Sequence, residues 1–322
     1  MTQPTATTQP SATQPAASKP ATIVGVGEVL WDLLPSGKQL GGAPANFAYM
    51  ANVLGDRGVV ASRVGADALG REARHAMDTL GITTTYVEED AFRPTGTVEV
   101  RVDAAGQPEF TIAESVAWDA LEWTPQWAEL ASKADVLCYG SLAQRAPASR
   151  ATIRRFLEAA PLATLRVYDV NLRHTFFTRD VLHESLQLAH VVKLNDQELP
   201  RIADLLALGG STEEERAQRL LQAYHLRLVC ITRGERGSLL VADGKSATHP
   251  GFKIQVADAV GAGDAFTACL AHNFLRGTTL DEINEDANRL AAWVATQVGA
   301  TPSTGGRDLS DILAGIANRV NQ

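Results

Sequence analysis

The chain has 322 residues, of which 45% are hydrophobic and 20% charged, which is enough apolar material for one large α/β domain with a small appendage, or for two domains. Its formal net charge of −8 at pH 7 gives no electrostatic reason to expect binding to nucleic acid or to an anionic membrane. No apolar run reaches the length of a membrane span, so we expect neither nucleic acid nor membrane as a partner.

The amino-terminal segment and the cysteines both bear on the cellular compartment. Residues 1–20 are mostly Thr, Gln, Pro and Ala, and because they carry too little apolar surface to offset the entropy lost on ordering, we predict a disordered tail. This tail has neither the apolar centre of a signal peptide nor the arginines of a transit peptide. Cys138, Cys230 and Cys269 stand far apart with no C-x-x-C pair, which is typical of reduced thiols. We therefore expect a cytoplasmic protein.

Short apolar segments rich in β-branched residues recur along the chain and predict buried parallel strands. Between them lie stretches in which the apolar residues have helical spacing. One begins with Pro44, which suits the first position of a helix, and another starts at Ala265 and presents one apolar face. This alternation predicts an α/β fold: a doubly wound, mostly parallel sheet with helices on both faces. The predicted strands are residues 22–27, 136–140, 165–170, 190–195 and 227–232.

Residues 92–112 depart from this alternation, because their apolar side chains recur with a period of two. The AAGQP segment in the middle supplies turn residues, so the stretch predicts a β-hairpin with one solvated face. The local pattern leaves two placements open. The hairpin is either an edge of the main sheet or a small β lid over a binding site.

The strongest motif is DAVGAGD, which runs from Asp258 to Asp264 immediately before a predicted helix. Small residues there let backbone N–H groups converge on one point, and the helix dipole adds a partial positive charge that suits a phosphate. An aspartate at the mouth of such an anion hole is unfavourable beside phosphate unless it takes a proton from an attacking hydroxyl. The alternative is a helix-start aspartate preceded by turn glycines.

A second motif, GGAPAN, spans Gly41 to Asn46. The paired glycines permit close approach of the backbone, and an asparagine in the first helical turn offers both a donor and an acceptor. A plain turn with a helix entry is the alternative, and it is the more common meaning of such a string.

The two motifs together, in this order and separation, resemble the signatures of the ribokinase-type (PfkB) family of carbohydrate kinases. That family carries G-G-x-x-x-N near its amino terminus and D-[TA]-x-G-A-G-D near its carboxyl terminus, and alanine is an accepted residue where Ala259 stands. The resemblance covers about residues 21–305. It implies one ribokinase-like domain over residues 21–322, after the disordered tail, with a β lid formed by about residues 33–40 and 92–118.

The resemblance implies ATP-dependent transfer of a phosphoryl group to a hydroxyl of a small sugar. The GEVLWDLLP, GGAPANFA, DVNLR and QVGATP segments look most like those of fructokinases, so fructose is the expected substrate. The alternatives are 2-keto-3-deoxygluconate and the substrates of other sugar or nucleoside kinases of the family. A sugar-binding regulator that kept the fold and lost turnover is the non-enzyme alternative. ATP and Mg²⁺, with K⁺ from the resemblance alone, are the expected cofactors, and a homodimer paired through the hairpin is a further implication.

The resemblance also assigns roles to individual residues. Asp264 becomes the base that activates the sugar hydroxyl, and the amides of Gly261, Ala262 and Gly263 become the anion hole. The other assigned residues lie at predicted turns, strand ends and helix starts. They are Asp32, Gly41, Gly42, Asn46, Arg101, Asn171 and Arg173 for the sugar; Asn195, Thr232, Gly234, Gly263 and Asn288 for the nucleotide; and Asn195 with Glu198 for Mg²⁺, reached through water.

Some of these residues have other interpretations in the sequence. Asn195 and Glu198 have the spacing of a helix-capping pair, and Pro200 would remove a backbone hydrogen bond from a helix that starts at Asp196. Asp32 could instead cap a turn.

The DVNLR segment closes an apolar strand with polar side chains, and the carboxyl end of a parallel strand faces the ligand crevice of a doubly wound fold. Arg173 in this segment, or Arg101 on the hairpin, would supply the cation that a carboxylated sugar needs. Dinucleotide-binding and P-loop sites are excluded, because Leu30 and Leu239 stand where their fingerprints require glycine.

Overall fold

The computed structural model describes residues 19–35, 37–102 and 108–319, without the side chains of residues 100–102, 108, 109 and 317–319. The predicted disordered tail of residues 1–20 therefore lies almost entirely outside the described residues. The same holds for the turn of the predicted hairpin and for the Arg101 side chain, whose expected contact with a sugar stays a prediction.

Within the described residues, the strands form one sheet of nine and one sheet of four. In chain order the strands are β1 (Thr22–Val26), β2 (Leu30–Leu34), β3 (Gly37–Gly41), β4 (Arg57–Gly65), β5 (Val87–Asp90), β6 (Gly96–Val102), β7 (Pro108–Ile112), β8 (Val136–Gly140), β9 (Leu165–Asp169), β10 (Val191–Asn195), β11 (Leu228–Thr232), β12 (Ser238–Ala242) and β13 (Lys245–His249). All five strands predicted from the sequence are present within a residue or two of their predicted bounds.

The large sheet has the strand order β13-β12-β11-β10-β9-β8-β1-β4-β5. Its strands pair in parallel from β5 to β11, and β12 and β13 continue the sheet in antiparallel fashion. From β1 the chain adds β4 and β5 on one side, and it then returns to add β8, β9, β10 and β11 on the other. The order therefore reverses between β1 and β8. This arrangement confirms the predicted doubly wound sheet.

Helices cover both faces of the large sheet. They are α1 (Ala43–Val53), α2 (Ala68–Thr79), α3 (Pro125–Lys133), α4 (Pro147–Ala159), α5 (Arg179–Leu188), α6 (Glu198–Leu205), α7 (Glu213–Ala223), α8 (Ala262–Leu275), α9 (Leu280–Ala295) and α10 (Leu309–Arg319). One core contains Ile23 of β1 with apolar residues of α1, α2, α8, α9 and α10. The other contains the next residue, Val24, with apolar residues of α3 to α7. Successive strand residues thus feed opposite cores, which explains the continuous apolar runs in the sequence.

Helix α8 differs from its prediction in two respects. It begins at Ala262 and not at Ala265, so the last glycine of the DAVGAGD motif lies in its first turn. It is also buried on almost every side from Ala265 to Ala271, because it packs between α1 and α9 against the sheet. The prediction of one apolar face is therefore wrong, and the physical reason is that a helix enclosed by other helices has no solvated face.

In the described part of the chain, no helix combines the length and the apolarity that crossing a membrane requires.

The small sheet has the order β3-β2-β6-β7. The predicted hairpin is confirmed, because β6 and β7 pair in antiparallel register. It joins β2 in a separate sheet, which rules out the alternative that it forms an edge of the main sheet. Trp31 on β2 anchors the small sheet to α2 by donating a hydrogen bond of 2.9 Å from Nε1 to the Leu69 carbonyl.

Asp56 forms hydrogen bonds with several elements at the edge of the large sheet where β1 begins. Its side chain is fully buried, and its carboxylate accepts a hydrogen bond of 2.9 Å from the Ala21 amide. Nδ1 of His272 and Nη2 of Arg276, both near the end of α8, each lie 2.6 Å from the same carboxylate. Burial alone would raise the pKa of Asp56, but hydrogen bonds from His272, Arg276 and Ala21 outweigh it and lower the pKa.

We expect Asp56→Asn to reduce the free energy of unfolding by about 2–4 kcal/mol, because it removes a buried carboxylate to which His272, Arg276 and the Ala21 amide all bind. Urea unfolding at pH 7 measures this loss. The matched control is Glu158→Gln, which breaks an exposed pair with Arg154 and should change stability by less than about 0.5 kcal/mol. The difference between wild type and Asp56→Asn should shrink as the pH falls through the lowered pKa of Asp56. Equal stabilities at pH 7 would contradict this assignment.

Candidate active site

The carboxyl edge of the large sheet, between β1 and β8, is where the strand order reverses. Open α/β sheets bind ligands in the crevice outside such a point. A small cavity lies here, and its lining includes Ala43 at the start of α1, Gly140 at the end of β8, Asn171 after β9 and Asp264 in α8. Both sequence motifs therefore meet at one edge of the sheet.

Gly261 shapes the entry to α8. Its φ of 79° lies in the left-handed region, and a Cβ at this position would stand 2.5 Å from both Cα and Cβ of Ala300. Only glycine satisfies both conditions. Asp258, at the start of the motif, accepts a hydrogen bond of 3.1 Å from the Gly299 amide. The DAVGAGD loop is thus fixed against the QVGATP segment.

The first turn of α8 provides the backbone groups that an anion needs. The first N–H groups of a helix have no intrahelical acceptor, and the helix dipole favours negative charge there. Of the three predicted anion-hole amides, that of Ala262 donates a long hydrogen bond of 3.3 Å to the Ala259 carbonyl. Gly261 and Gly263 add no side chain over this turn, so a phosphate could approach the backbone closely.

Asp264 lies in this first turn, partly exposed to solvent. Its Oδ2 accepts a hydrogen bond of 2.7 Å from Nδ2 of Asn46, which stands 218 residues earlier in the sequence. The pKa of Asp264 is raised to about 6, first by burial and then by the negative charge of Asp169. The Asn46 hydrogen bond and the positive charges of Lys193 and Arg173 act in the opposite direction. A carboxylate with such a pKa is ionised at neutral pH and can still accept a proton.

The paired glycines make room for two acidic residues. A Cβ at Gly42, where φ is 109°, would overlap the backbone oxygen of Glu28, and a Cβ at Gly41 would overlap the carboxylate of Asp32. Gly42 precedes α1, and Pro44 occupies its first turn as predicted. Asn46 is 5% exposed, and its Oδ1 has no hydrogen-bond partner among the described residues.

The predicted sugar-side residues share one electrostatic environment. Asp32 lies on β2 of the small sheet, and burial raises its pKa while the positive charge of Arg173 lowers it. The positive charge of Arg173 also lowers the pKa of Glu28 and of Asp264. One guanidinium therefore favours the ionised form of all three carboxyl groups. Asn171, between β9 and Arg173, has a φ of 41°, a conformation that asparagine tolerates better than most residues.

On the predicted nucleotide side, Asn195 and Glu198 form a reciprocal cap at the start of α6. Glu198 Oε2 accepts a hydrogen bond of 2.8 Å from the Asn195 amide, and Asn195 Oδ1 accepts one of 2.8 Å from the Glu198 amide. The other oxygen of Glu198 accepts from the Leu172 amide at 2.7 Å. The helix begins at Glu198 and not at Asp196. Pro200 therefore lies in the first turn, where no intrahelical hydrogen bond is lost.

This cap bears on the predicted magnesium site. Each carboxylate oxygen of Glu198 already accepts one backbone hydrogen bond, which leaves each with one further lone pair. Among the residues that the structure describes, no group of three or more His, Cys, Asp or Glu side chains is placed to hold a metal ion. The remaining lone pairs of Glu198 could hold a metal ion through water, as the sequence predicts.

The remaining nucleotide-side residues differ in their access to solvent. Thr232 ends β11, and Gly234 lies exposed in the turn that follows, with a φ of 59°. Asn288 is only 8% exposed, and its Nδ2 donates hydrogen bonds of 2.7 Å to Ser238 Oγ and to the Asn284 carbonyl. The structure thus holds the Asn288 amide group inside a buried polar cluster.

Two residues at this edge were not singled out from the sequence. Lys193 is buried in β10, and its Nζ lies 3.2 Å from both carboxylate oxygens of Asp169 at the end of β9. The signal was a lysine inside the apolar run VVKLN, because fully buried lysines are rare unless paired. Glu28 is 5% exposed, its Oε2 has no partner among the described residues, and burial raises its pKa to about 7. It was quoted in the GEVLWD string but given no role.

Comparison with known proteins identifies a family and a fold that span most of this chain. The family described as pfkB family carbohydrate kinase matches residues 36–305. A fructokinase from Klebsiella pneumoniae is 32% identical over 257 residues, which cover 76% of this chain and 81% of that protein. A fructokinase from Escherichia coli is 31% identical over 296 residues, covering 85% of this chain and 93% of that protein. Among solved structures, a fructokinase from Xylella fastidiosa with bound ATP has a TM-score of 0.79 at 24% identity, over 92% of this chain and 98% of that chain.

Proposed function

The chain belongs to the pfkB family of carbohydrate kinases, and from that premise we propose that it transfers the γ-phosphoryl group of ATP to a hydroxyl of fructose. One observation carries the proposal: Asp264, held by Asn46 at 2.7 Å, stands in the first turn of a helix whose entry is built from glycines. A carboxylate and a glycine-lined helix start thus lie within one turn of each other, which supports the proposed transfer of a phosphoryl group to an alcohol.

In the proposed mechanism Asp264 accepts the proton of the sugar hydroxyl as that oxygen attacks the γ-phosphorus. The new O–P bond forms while the bond between the γ-phosphorus and the bridging oxygen breaks, and ADP leaves with the electron pair. The amides of Gly261, Ala262 and Gly263 stabilise the negative charge on the transferred group. This role is supported by the absence of side chains at Gly261 and Gly263 and by the helix dipole.

ATP would lie along the carboxyl ends of β10 and β11, next to Asn195, Thr232 and Gly234. When bound, Mg²⁺ would neutralise charge on the phosphates, and Asn195 and Glu198 would hold it through water. Asn288 would act by supporting the buried cluster under β12, since its amide nitrogen is already engaged. K⁺ near the anion hole stays a prediction from the family resemblance.

Fructose is proposed as the substrate because the relatives at 31–32% identity bear the name fructokinase. The charges at the site favour a neutral sugar. Glu28, Asp32 and Asp264 supply carboxyl groups, and the positive charge of Arg173 lowers the pKa of all three. A carboxylated sugar such as 2-keto-3-deoxygluconate would have to draw Arg173 away from these groups. It remains the second candidate because Arg173 is exposed and can move.

The small sheet is proposed to act as the lid, with Asp32, Gly41 and Gly42 beside the sugar. Its strand β3 approaches the QVGATP segment, since Gln39 Oε1 would lie 3.5 Å from a Cβ at Gly299. The sheet is therefore in reach of the loop that ends in Asp264. Closure over the sugar would exclude water and limit wasteful hydrolysis of ATP.

The test is ADP release in a coupled assay with Mg²⁺-ATP and a panel of fructose, 2-keto-3-deoxygluconate, ribose, glucose and adenosine. We expect the highest kcat/KM with fructose. A preference for 2-keto-3-deoxygluconate would replace the proposed substrate and keep the mechanism. Binding of fructose and ATP without any ADP release would support the sugar-binding regulator instead.

We expect kcat/KM for the sugar to fall about tenfold per pH unit as the pH drops below about 6. Only ionised Asp264 can accept the hydroxyl proton, and its pKa is raised to about 6, so activity is present above that pH and lost below it. Initial rates between pH 5 and 9 give the profile. Glu28, with its pKa near 7, could produce a similar limb, and Glu28→Gln separates the two: the limb persists if Asp264 causes it and disappears if Glu28 does.

A further inference from the structure

A buried ion pair lies beneath the first turn of α8. Lys193 and Asp169 are neighbours in register on β10 and β9, and their side chains are only 10% and 6% exposed. Nζ of Lys193 lies 3.2 Å from each oxygen of Asp169. Because the cost of desolvating two charges offsets most of their attraction, such a pair contributes little net stability. Its presence at this edge of the sheet therefore calls for another explanation.

Two contacts connect the pair to the helix that carries Asp264. Thr267 Oγ1 lies 3.0 Å from Asp169 Oδ2 and 2.8 Å from the Gly263 carbonyl, and its single proton can be donated to either oxygen. A Cβ at Gly263 would lie 3.2 Å from Nζ of Lys193. The ammonium group thus rests against the backbone of the residue immediately before Asp264.

Charged and polar groups from several elements surround Asp264. They oppose one another: Asp169 raises the pKa of Asp264 and Lys193 lowers it. Lys193 itself stays charged, because the negative charges of Asp169, Glu198 and Asp264 outweigh its burial and raise its pKa to about 12. The groups that face Asp264 are Glu28 after β1, Asn46 of α1, Cys138 of β8, Asp169 of β9, Arg173 after β9 and Lys193 of β10.

We propose that Asp169 and Lys193 are positioning residues for the kinase reaction, which hold the start of α8 in place and set two opposite charges beside Asp264. This inference rests on the proposed role of Asp264. Neither residue has to touch the sugar or the phosphates. Asp169 acts through Thr267 and through its charge, and Lys193 acts through its contact with Gly263 and through its charge.

The test compares the acid limb of the pH profile of kcat/KM in charge-removing variants. Lys193→Met removes the positive charge, so the limb should move to higher pH by about one unit. Asp169→Asn removes the negative charge, so the limb should move to lower pH by a similar amount. The double variant should return the limb close to the wild-type position. General structural damage cannot produce opposite shifts from two residues in contact.

Cys230→Ala is the matched control, because Cys230 is buried and pairs with Lys193 across β10 and β11. It removes packing but no charge, so the limb should stay in place. If Lys193→Met does not fold, Lys193→Gln makes the same charge change and keeps a hydrogen-bond donor for Asp169. Shifts of the same sign in both variants, or no shift in either, overturn the inference. Near-normal activity of Asp264→Asn would instead reject Asp264 as the base, which distinguishes the two failures.

Discussion

Replacing Asp264 with asparagine is expected to lower kcat with fructose by about 10²–10⁴-fold, the usual contribution of a general base. Asparagine has the same shape and can keep a hydrogen bond to Asn46, but it cannot accept the hydroxyl proton at any accessible pH. The KM for the sugar and the affinity for ATP should change by only a few-fold, because the amides of the first turn stay in place. Steady-state rates give kcat, and calorimetric titration with ATP confirms that the site is intact.

The control for this substitution is Asp258→Asn, which makes the same chemical change at the other end of the motif. The two carboxylate oxygens of Asp258 accept one hydrogen bond each, from the Val260 and Gly299 amides. The single oxygen of asparagine can keep one of them, so kcat should fall far less than in Asp264→Asn. Similar losses in both variants would indicate damage to the loop and not removal of a base. Full activity in Asp264→Asn would refute the mechanism.

The second large effect is expected from Gly261→Ala. The left-handed φ of 79° costs an alanine roughly 1–2 kcal/mol. The added Cβ would also lie 2.5 Å from Cα of Ala300, and this steric clash adds about 1–3 kcal/mol. The loop would have to move to relieve this contact. Since loss of one donor from an anion hole costs about 10²–10³-fold, we expect kcat to fall by that amount, together with a lower urea midpoint.

Gly299→Ala separates the backbone strain from the clash. Gly299 has almost the same φ, 80°, but a Cβ there meets only Gln39 Oε1 at 3.5 Å, which is ordinary contact. This variant should lose about 1 kcal/mol of stability and keep most of its kcat. Adding Ala300→Gly to Gly261→Ala should restore part of the activity, because it removes one of the two clashing carbons. Equal kcat losses in Gly261→Ala and Gly299→Ala would show that the contact with Ala300 is unimportant.

Much of this fold follows from local patterns in the sequence. The five predicted strands are continuous apolar runs, and such runs are typical of strands buried on both faces of a parallel sheet. Gly261 and Gly42 sit where the backbone needs a positive φ and where neighbouring backbone comes close, which is why glycine-rich strings marked the entries to α8 and α1. The position of Pro44 in the first turn of α1 followed from the fixed φ of proline.

Other features could not be read locally because they depend on partners distant in sequence. The enclosure of α8 depends on α1, so no window around Phe266 could show that it lacks a solvated face. The pairing of Lys193 with Asp169 is set by the register of β9 and β10. A lysine in an apolar run does not indicate which acidic residue it will pair with. The engagement of both Glu198 oxygens likewise needs Leu172, 26 residues away.

The long separation between Asn46 and Asp264 has a consequence for how the protein is made. A nascent chain leaving the ribosome releases α1 and β1 early, but β8, which flanks β1 in the sheet, and α8, which covers α1, emerge much later. Contacts between residues 218 positions apart form slowly in any chain, and here they must wait for translation. We therefore expect the growing polypeptide to expose the apolar surfaces of α1 and β1 for most of its synthesis. Chaperone binding in that interval would protect it from aggregation, and a chain interrupted before α8 would lack both Asp264 and the predicted anion hole.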